Sequence, residues 1–303
     1  MLILAAALFF APHYEITLPY NANVPVSDAK GNLYFISDVV SPSYWVTRVD
    51  PDGNVVYRVI PAVVAGSYCQ SSLLAPDPAG NLYVASSCLP SGGFNYIVIS
   101  KLAPSGTILY TFPTQISANI NVNGMAVGPD GSVFLTGSAY PSALATTEGA
   151  YVSSAKAAAF NFNAFVVEVN AAGTGIKYAT FLDNAPSSAS LAPFPSTAGV
   201  AIAVDSLGDA YITGTTEDAG FPTSDFAFNR NCNCSVGNPG VFVVTLNGDG
   251  SNIVYSTFLV RTPRPLLESQ SISVTSGLQA TVTEVFNGGR YGNESLISTT
   301  SKC

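Results

Sequence analysis

Residues 200–259 decide the fold. They begin VAIAVDSLGDAYITGTT, pass through a polar and aromatic insert, and resume as GVFVVTLNGDGSNIVYSTFL. The stretch holds four short runs rich in apolar, β-branched and aromatic residues, and Gly-bearing turns follow the first and the third run. Runs of this kind, closed by Gly, Asp and Asn, are typical of β-strands joined by tight turns. The stretch therefore predicts one four-stranded antiparallel unit.

Both turns of this unit recur along the chain in the same order. The first turn recurs at residues 28–31, 77–80, 129–131 and 205–208, and the second at 50–53, 103–106, 170–173 and 247–250. Each second turn precedes a predicted strand that carries a tyrosine, namely Tyr57, Tyr110, Tyr178 and Tyr255. A repeated four-stranded unit of about 40–50 residues is the pattern of a β-propeller blade. Stacked blades cover faces that a single blade leaves exposed.

The fourth unit also resembles a known family. Its segments AVDSLGDAYITGTT, GFPTS and GVFVVTLNGDGSNIVYSTFL are similar to the bacterial SBBP-type β-propeller repeat. In the third unit, TTEGAY at 146–151 resembles the piece that follows Phe-Pro in that repeat. The resemblance implies a propeller fold in exported bacterial proteins. It implies no shared catalytic residues, so none is assigned.

We predict an all-β, five-bladed β-propeller of four-stranded antiparallel blades in a single domain, 12–303. The blades are predicted at about 24–60, 71–113, 122–182, 200–259 and 271–303. Residues 13–20 resemble a fourth strand without its first three, and the last blade resembles three strands without a fourth. We expect the N-terminal strand to complete the last blade and close the ring, which removes an open strand edge. The alternative is a piece of a longer propeller.

Residues 1–11, MLILAAALFFA, are predicted to be a signal peptide, because they are apolar and shorter than the roughly 20 residues of a membrane span. The alternatives are a buried N-terminal strand and a misplaced start. Charged residues make up 10% of the chain, which agrees with export. We expect a secreted or cell-envelope protein of a bacterium.

Two long inserts, 138–163 and 215–240, connect the second and third strands of blades three and four. In a four-stranded meander both inserts and all inter-blade loops share one side, which we call the long-loop face. Long loops on a rigid frame often bind ligands. The inserts carry aromatic side chains, and exposed rings beside an Arg are typical interface anchors. The predicted binding residues are Tyr140, Tyr151, Phe160, Phe162, Phe221 and Arg230, with Phe226 and Phe228 in the same insert. The alternative is that these rings pack the inserts onto the frame.

Cysteine placement predicts two disulfides, Cys69–Cys88 and Cys232–Cys234, if the chain is exported. Free thiols are the alternative, and Cys303 is left unassigned. The Asp residues of the turns are predicted to cap their own turns rather than to bind Ca²⁺, since calcium loops concentrate several oxygen ligands in one segment. No metal or cofactor is predicted.

Histidine occurs once, at His13, so triads that need a histidine base are disfavoured. Carboxylate pairs remain open as catalysts. The candidates in or near the inserts are Glu148, Glu168, Glu217, Asp218 and Asp225. The net charge of −8 and pI of about 4.4 disfavour nucleic acid and anionic membranes as partners.

The sequence therefore predicts a non-catalytic binding or scaffold module that contacts an unknown protein or glycan through the long-loop face. A carbohydrate- or polymer-active lyase or hydrolase is the alternative, and a structural spacer is the third interpretation. Converging carboxylates in a pocket would favour the enzyme. Exposed aromatic rings without such a pocket would favour the binding module, and a flat polar face the spacer.

Overall fold

A computed structural model describes residues 25–40, 43–61, 67–90, 96–117, 120–153, 162–183, 196–232, 234–259, 267–275, 279–286 and 295–301. These residues form five antiparallel β-sheets and no helix. The chain divides into two compact units, Met1–Pro113 and Thr114–Cys303. The predicted all-β class and four-stranded meander are confirmed.

The first unit contains the first sheet and most of the second, each in strand order along the chain. The first sheet comprises β1 (Val26–Ser27), β2 (Leu33–Val40), β3 (Ser43–Val49) and β4 (Val55–Val59). The second comprises β5 (Ser67–Pro76), β6 (Leu82–Pro90), β7 (Tyr96–Leu102) and β8 (Ile108–Ser117). Tyr34, Tyr44, Leu82 and Val98 lie in one buried core that both sheets share. The second sheet begins at Ser67, four residues before the predicted 71.

The second unit contains the other three sheets. The third sheet comprises β9 (Ile120–Val127), β10 (Val133–Ala139), β11 (Asn163–Val169) and β12 (Ile176–Phe181). The fourth comprises β13 (Thr197–Val204), β14 (Ala210–Thr216), β15 (Gly240–Leu246) and β16 (Ile253–Phe258). The fifth comprises β17 (Leu267–Val274), β18 (Gln279–Phe286) and β19 (Ser295–Ser301). The buried core between the third and fourth sheets includes Phe134, Val166, Phe242 and Phe258.

Five-blade closure stays a prediction. The fifth sheet has three strands in the described part of the chain, in the order β17-β18-β19. Residues 1–24 lie outside the described residues, and they include the N-terminal strand at 13–20.

Tight turns of one design join the strands. In each of the eight predicted turns the glycine has a positive φ, between 64° and 90°. That conformation strains any side chain with a Cβ. In the first turn, Oδ1 of Asp28 accepts hydrogen bonds from the backbone N–H of Lys30 and Asn32, and the hydroxyl of Tyr34 donates to Oδ2 at 3.0 Å. Asp205 accepts the same three kinds of hydrogen bond in the fourth sheet. The predicted capping role of the turn Asp residues is confirmed.

Hydrogen bonds lower the pKa of the aspartate in the first turn, Asp28. Burial opposes ionisation of Asp28, but hydrogen bonds from the side chain and backbone of Asn32 and from Tyr34 outweigh it, so the pKa of Asp28 is lowered. Burial, and then the hydrogen bond to Asp28, raise the pKa of Tyr34 to about 12. The carboxylate is therefore kept charged and the phenol neutral, which maintains the hydrogen bond across the ordinary pH range.

Two tyrosines in fourth strands, Tyr57 and Tyr178, pack against the second turn of the sheet that follows. A Cβ on Gly106, in the second sheet, would lie 2.7 Å from Cγ of Tyr57, in the first. Likewise Gly250, in the fourth sheet, lies directly against the ring of Tyr178, in the third. Only glycine lets these backbones approach the ring so closely. The turns at Gly106 and Gly250 therefore each pack against the preceding sheet.

The insert of the third sheet folds back along its outer strand, β12. The backbone N–H of Thr147 donates to the carbonyl of Ala179 at 3.0 Å, and the N–H of Val152 donates to Oγ1 of Thr180 at 3.0 Å. The described part of this insert therefore covers an exposed strand edge, which would otherwise be open to pairing with another chain.

Candidate binding surface

The insert of the fourth sheet repeats this arrangement along β16. The backbone N–H of Ser224 donates to the carbonyl of Ser256 at 3.0 Å, and the N–H of Asn229 donates to Oγ1 of Thr257 at 2.9 Å. The hydroxyl of Ser256 also donates to the carbonyl of Pro222 at 2.6 Å. These hydrogen bonds hold both ends of the segment 222–229 against β16.

Two aromatic rings project from this segment into solvent. Phe226 is 92% exposed and Phe228 is 76% exposed. The backbone N–H of Phe228 donates to the hydroxyl of Tyr255 at 3.2 Å, which fixes the chain beneath the ring. Nearby, the Arg230 guanidinium pairs with Asp225 at 3.0 Å, and both side chains are exposed. We call Phe226, Phe228, Arg230 and Tyr255 the aromatic surface.

The other predicted binding residues are placed differently. Phe221 is 3% exposed and stacks on Phe242 with ring centroids 4.3 Å apart, so it belongs to the core rather than to a contact surface. Tyr140 and Phe162 stack on each other at 4.1 Å across the two ends of the third-sheet insert. Tyr151 is partly buried against the core of the second unit. Phe160 lies outside the described residues.

The candidate carboxylates do not converge on one site, because each has its own local partners. Glu217 accepts backbone hydrogen bonds from Ser196 at 3.1 Å and Gly237 at 2.8 Å, so it fixes two loops. Asp218 accepts a hydrogen bond from the N–H of Gly220, and Glu148 is exposed on the third-sheet insert. Glu168 corrects the sequence interpretation: it lies beside the short turn after β11, away from the inserts.

Glu168 forms a structural ion pair at that position. It is 1% exposed, and its Oε1 lies 2.6 Å from Nζ of Lys177. Burial raises the pKa of Glu168, although Lys177 opposes the shift. The hydrogen bond to Glu168 raises the pKa of Lys177. The pair joins β11 to β12 and does not face the aromatic surface.

Asp183 is the functional candidate that the sequence analysis missed. It follows β12 at the long-loop end, is 1% exposed, and neither carboxyl oxygen has a donor in hydrogen-bonding geometry. Burial raises its pKa to about 7, and the negative charge of Asp218 adds to the shift. Thr197 and the N–H of Ala164 lie near enough to favour the ionised form, but burial outweighs both. No local motif marks the residue, because its environment is assembled from three strands.

Both predicted disulfides are formed in the structure. Cys69 and Cys88 lie directly opposite each other in β5 and β6, with Cα atoms 4.0 Å apart. Cys69 therefore lies within β5, although the predicted second blade begins only at residue 71. Cys232 and Cys234 form a clip whose Cys232 sulfur packs on Gly240 at the start of β15. This clip anchors the end of the fourth-sheet insert.

Within the described ranges, no three His, Cys, Asp or Glu side chains come together as a metal site requires. Nor does that part of the chain contain a helix long and apolar enough to cross a bilayer.

The strands and turns around the aromatic surface match a known repeat. Residues 192–222 match the family model described as the SBBP beta-propeller repeat. The SBBP repeat takes in β13, β14 and the first part of the insert, and it ends at Pro222, just before the exposed rings. The predicted resemblance to this family is confirmed over these residues. No curated protein sequence matches the chain.

Several solved structures are similar in fold at low identity. A protein of unknown function from Dyadobacter fermentans DSM 18053 is 11% identical, with a TM-score of 0.48, over 91% of this chain and 74% of that one. An S511A mutant of puromycin hydrolase is 10% identical, with a TM-score of 0.48, over 92% of this chain and 37% of that one. A polysaccharide lyase acting on ulvan is 7% identical, with a TM-score of 0.48, over 91% of this chain and 67% of that one. Likeness at this level carries no argument about activity.

Proposed function

We propose that the chain is a non-catalytic binding module that contacts a protein or a glycan through the aromatic surface. The observation that carries the proposal is the exposure of Phe226 and Phe228, at 92% and 76%. Exposed apolar rings on a soluble protein mark interaction sites. Because hydrogen bonds already order the segment along β16, binding loses little conformational entropy there.

The chemistry of the surface limits the partner. Aromatic rings stack on sugar rings or on apolar side chains, and Arg230 can donate charge-assisted hydrogen bonds to an acidic group. The net charge of −8 disfavours nucleic acid. The position of the exposed rings Phe226 and Phe228 on the fourth-sheet insert supports the long-loop face as the region of binding.

Export from a bacterial cell belongs to the same proposal. Two disulfides are compatible with an oxidising compartment, where such bonds persist. The low content of charged residues, 10%, agrees with it.

The test is a glycan and peptide-array screen of the full chain, followed by affinity measurement for the best ligand. The double variant Phe226→Ala, Phe228→Ala should weaken binding at least about tenfold, which corresponds to about 1.4 kcal/mol. Leu207→Ala, on another exposed apolar residue of the fourth sheet, is the matched control and should bind like wild type. Unchanged binding by the double variant would contradict the proposal.

A carbohydrate- or polymer-active lyase or hydrolase is the second candidate, and Asp183 is the observation that favours it. A carboxyl whose pKa is about 7 suits a general acid at neutral pH, and Asp218 is a second carboxylate that acts on it electrostatically. Assay of the full chain against a polysaccharide panel tests this candidate. An activity that Asp183→Asn abolishes and Glu148→Ala spares would favour the enzyme over the binding module.

A further inference from the structure

The two disulfides described above lie in contrasting surroundings. Cys69 and Cys88 are 4% and 0% exposed, and they join opposed strands inside the core that the first two sheets share. Cys232 and Cys234 are only partly buried, and they lie in the fourth-sheet insert, outside any strand. A thiol in solution can therefore reach the second disulfide, whereas the fold shields the first.

The two disulfides also close loops of different length. The sequence separation of the paired cysteines is 19 for the first bond and 2 for the second. In the chain-entropy description, a disulfide stabilises the folded state less as the closed loop becomes shorter. The fold therefore gains less from the Cys232–Cys234 bond and loses less when that bond opens. Exposed disulfides are more easily reduced than buried structural ones, and they include the regulatory and catalytic ones.

Hydrogen bonds also hold the chain on both sides of the second disulfide. Before it, the N–H of Phe258 donates to the carbonyl of Asn229 at 3.0 Å, and the N–H of Asn229 donates to Oγ1 of Thr257 at 2.9 Å. After it, the N–H of Gly237 donates to Oε1 of Glu217 at 2.8 Å. These hydrogen bonds do not involve a cysteine, so opening the disulfide leaves them intact. Both thiols of the reduced form then stay close together, which favours re-formation of the bond.

The two sulfur atoms of this disulfide are not equivalent. A Cβ built on Gly240 would overlap the sulfur of Cys232, so the backbone at the start of β15 covers one side of that sulfur. Cys232 also packs against the buried core of the third and fourth sheets. Cys234 is nearest to the same position through its Cβ, at 3.4 Å, and its sulfur lies farther away. The sulfur of Cys234 is therefore the more accessible of the two.

We propose that Cys232–Cys234 is a site of thiol–disulfide exchange with small thiols. A thiolate attacks the sulfur of Cys234 and forms a mixed disulfide with it. The electron pair of the broken bond passes to the sulfur of Cys232, which takes up a proton. A second thiolate then attacks the sulfur of the bound small thiol, and Cys234 leaves and takes up a proton in turn.

The exchange balances in atoms and electrons. Two small thiols lose two protons and two electrons and become one small disulfide, while the protein disulfide becomes a dithiol. The reverse sequence re-forms the protein disulfide and reduces the small disulfide. The inference stands apart from the proposed function, since neither cysteine belongs to the aromatic surface.

The test is differential alkylation of the full chain after equilibration with reduced and oxidised glutathione at set ratios. Cys303→Ser is present in every sample, so that the four remaining cysteines belong to the two disulfides. Free thiols receive one alkylating reagent. The disulfides are then reduced and receive a second reagent, and peptide masses give the reduced fraction of each pair.

The Cys232–Cys234 bond should be reduced first. The ratio [GSH]²/[GSSG] that reduces half of it should be at least about tenfold lower than the ratio for Cys69–Cys88. The chain with only Cys232–Cys234 reduced should keep the far-UV circular dichroism of the oxidised chain. The inference is overturned if Cys232–Cys234 is as resistant as Cys69–Cys88, or if it is reduced only when the chain unfolds.

Single variants test which sulfur is attacked. Cys232→Ser leaves the thiol of Cys234, which should form a mixed disulfide with oxidised glutathione at least about tenfold faster than the thiol of Cys232 in Cys234→Ser. Equal rates, or a faster Cys232, would overturn the assignment of Cys234 as the attacked sulfur. The double variant Cys69→Ser, Cys88→Ser is the matched control, and its Cys232–Cys234 bond should exchange like that of wild type.

Discussion

Asp183 and Gly250 show how much a single residue depends on its surroundings in this protein. Asp183 is buried with both carboxyl oxygens lacking a donor in hydrogen-bonding geometry, and its pKa is raised to about 7. Gly250 lies so close to the Tyr178 ring that the backbone has no room for a Cβ. The environment of each residue is formed by side chains that are distant in the sequence. The effect of mutating either residue therefore cannot be predicted from its sequence neighbours alone.

Asp183 should make stability depend on pH. An Asp in an unfolded chain ionises near pH 4, whereas in the folded protein the pKa of Asp183 is about 7. Between these values the unfolded state releases a proton that the folded state keeps, so stability falls as pH rises from about 4 to about 7 and then stays level. Asp183→Asn removes this loss and should stabilise the protein above pH 7 by up to roughly 4 kcal/mol.

Thermal unfolding of wild type and Asp183→Asn between pH 4 and pH 8 measures this effect. The gain should shrink as the pH approaches 4. Asp225→Asn, on an exposed carboxylate, is the control and should follow the wild-type profile. A variant that is less stable than wild type at pH 8 would contradict the explanation.

Gly250→Ala should destabilise the protein more than Gly208→Ala. Both glycines have a positive φ, 72° and 85°, and an alanine there costs about 1 kcal/mol or slightly more. At Gly250 the added methyl also meets the Tyr178 ring, which adds about 1–3 kcal/mol of overpacking. Denaturant titration of both variants gives the difference, and equal losses would show that the turn does not bear on the ring.

At the scale of elements, the described parts of the two inserts form hydrogen bonds along the outer strands β12 and β16 and so cover the edges of their sheets. The fourth-sheet insert presents one aromatic side chain inward and two outward. Phe221 stacks on Phe242 in the core, while Phe226 and Phe228 face solvent. Sequence alone does not separate these roles, because the inward direction of Phe221 is fixed by hydrogen bonds to β16, a strand more than 30 residues away.

Phe221→Ala should therefore destabilise the protein by about 3–5 kcal/mol, since it leaves a cavity in the core. Phe226→Ala should change the free energy of unfolding by less than about 0.5 kcal/mol, since its ring is exposed. Urea unfolding of the two variants side by side measures both effects. A comparable loss for Phe226→Ala would mean that its ring is not free for a partner.

Across the whole molecule, the features that the sequence predicts best are the ones with local causes. The turns at 28–31 and 205–208 were predictable because Asp and Gly satisfy the turn within a few residues. The disulfide Cys69–Cys88 was predicted, but its place between paired strands was not, because strand ends depend on pairing. The burial of Asp183 and the path of the inserts arise from contacts between distant segments, which the sequence pattern does not encode.

Removal of the Cys69–Cys88 disulfide should lower stability without changing the aromatic surface. The bond closes a loop with a sequence separation of 19, for which the chain-entropy estimate is about 3 kcal/mol. The double variant Cys69→Ser, Cys88→Ser should unfold at lower temperature, and its ligand binding below that temperature should equal that of wild type. A loss of binding in the folded double variant would show that the first unit contributes to recognition.

The packing of Gly106 and Gly250 against tyrosines of the preceding sheets also affects the cooperativity of unfolding. The Gly106 turn packs on Tyr57 and the Gly250 turn packs on Tyr178. The stability of each of these sheets therefore depends in part on its interface with the neighbouring sheet. Amide protection in β12 should then fall when the turn after β15 is loosened, even though β12 itself is untouched.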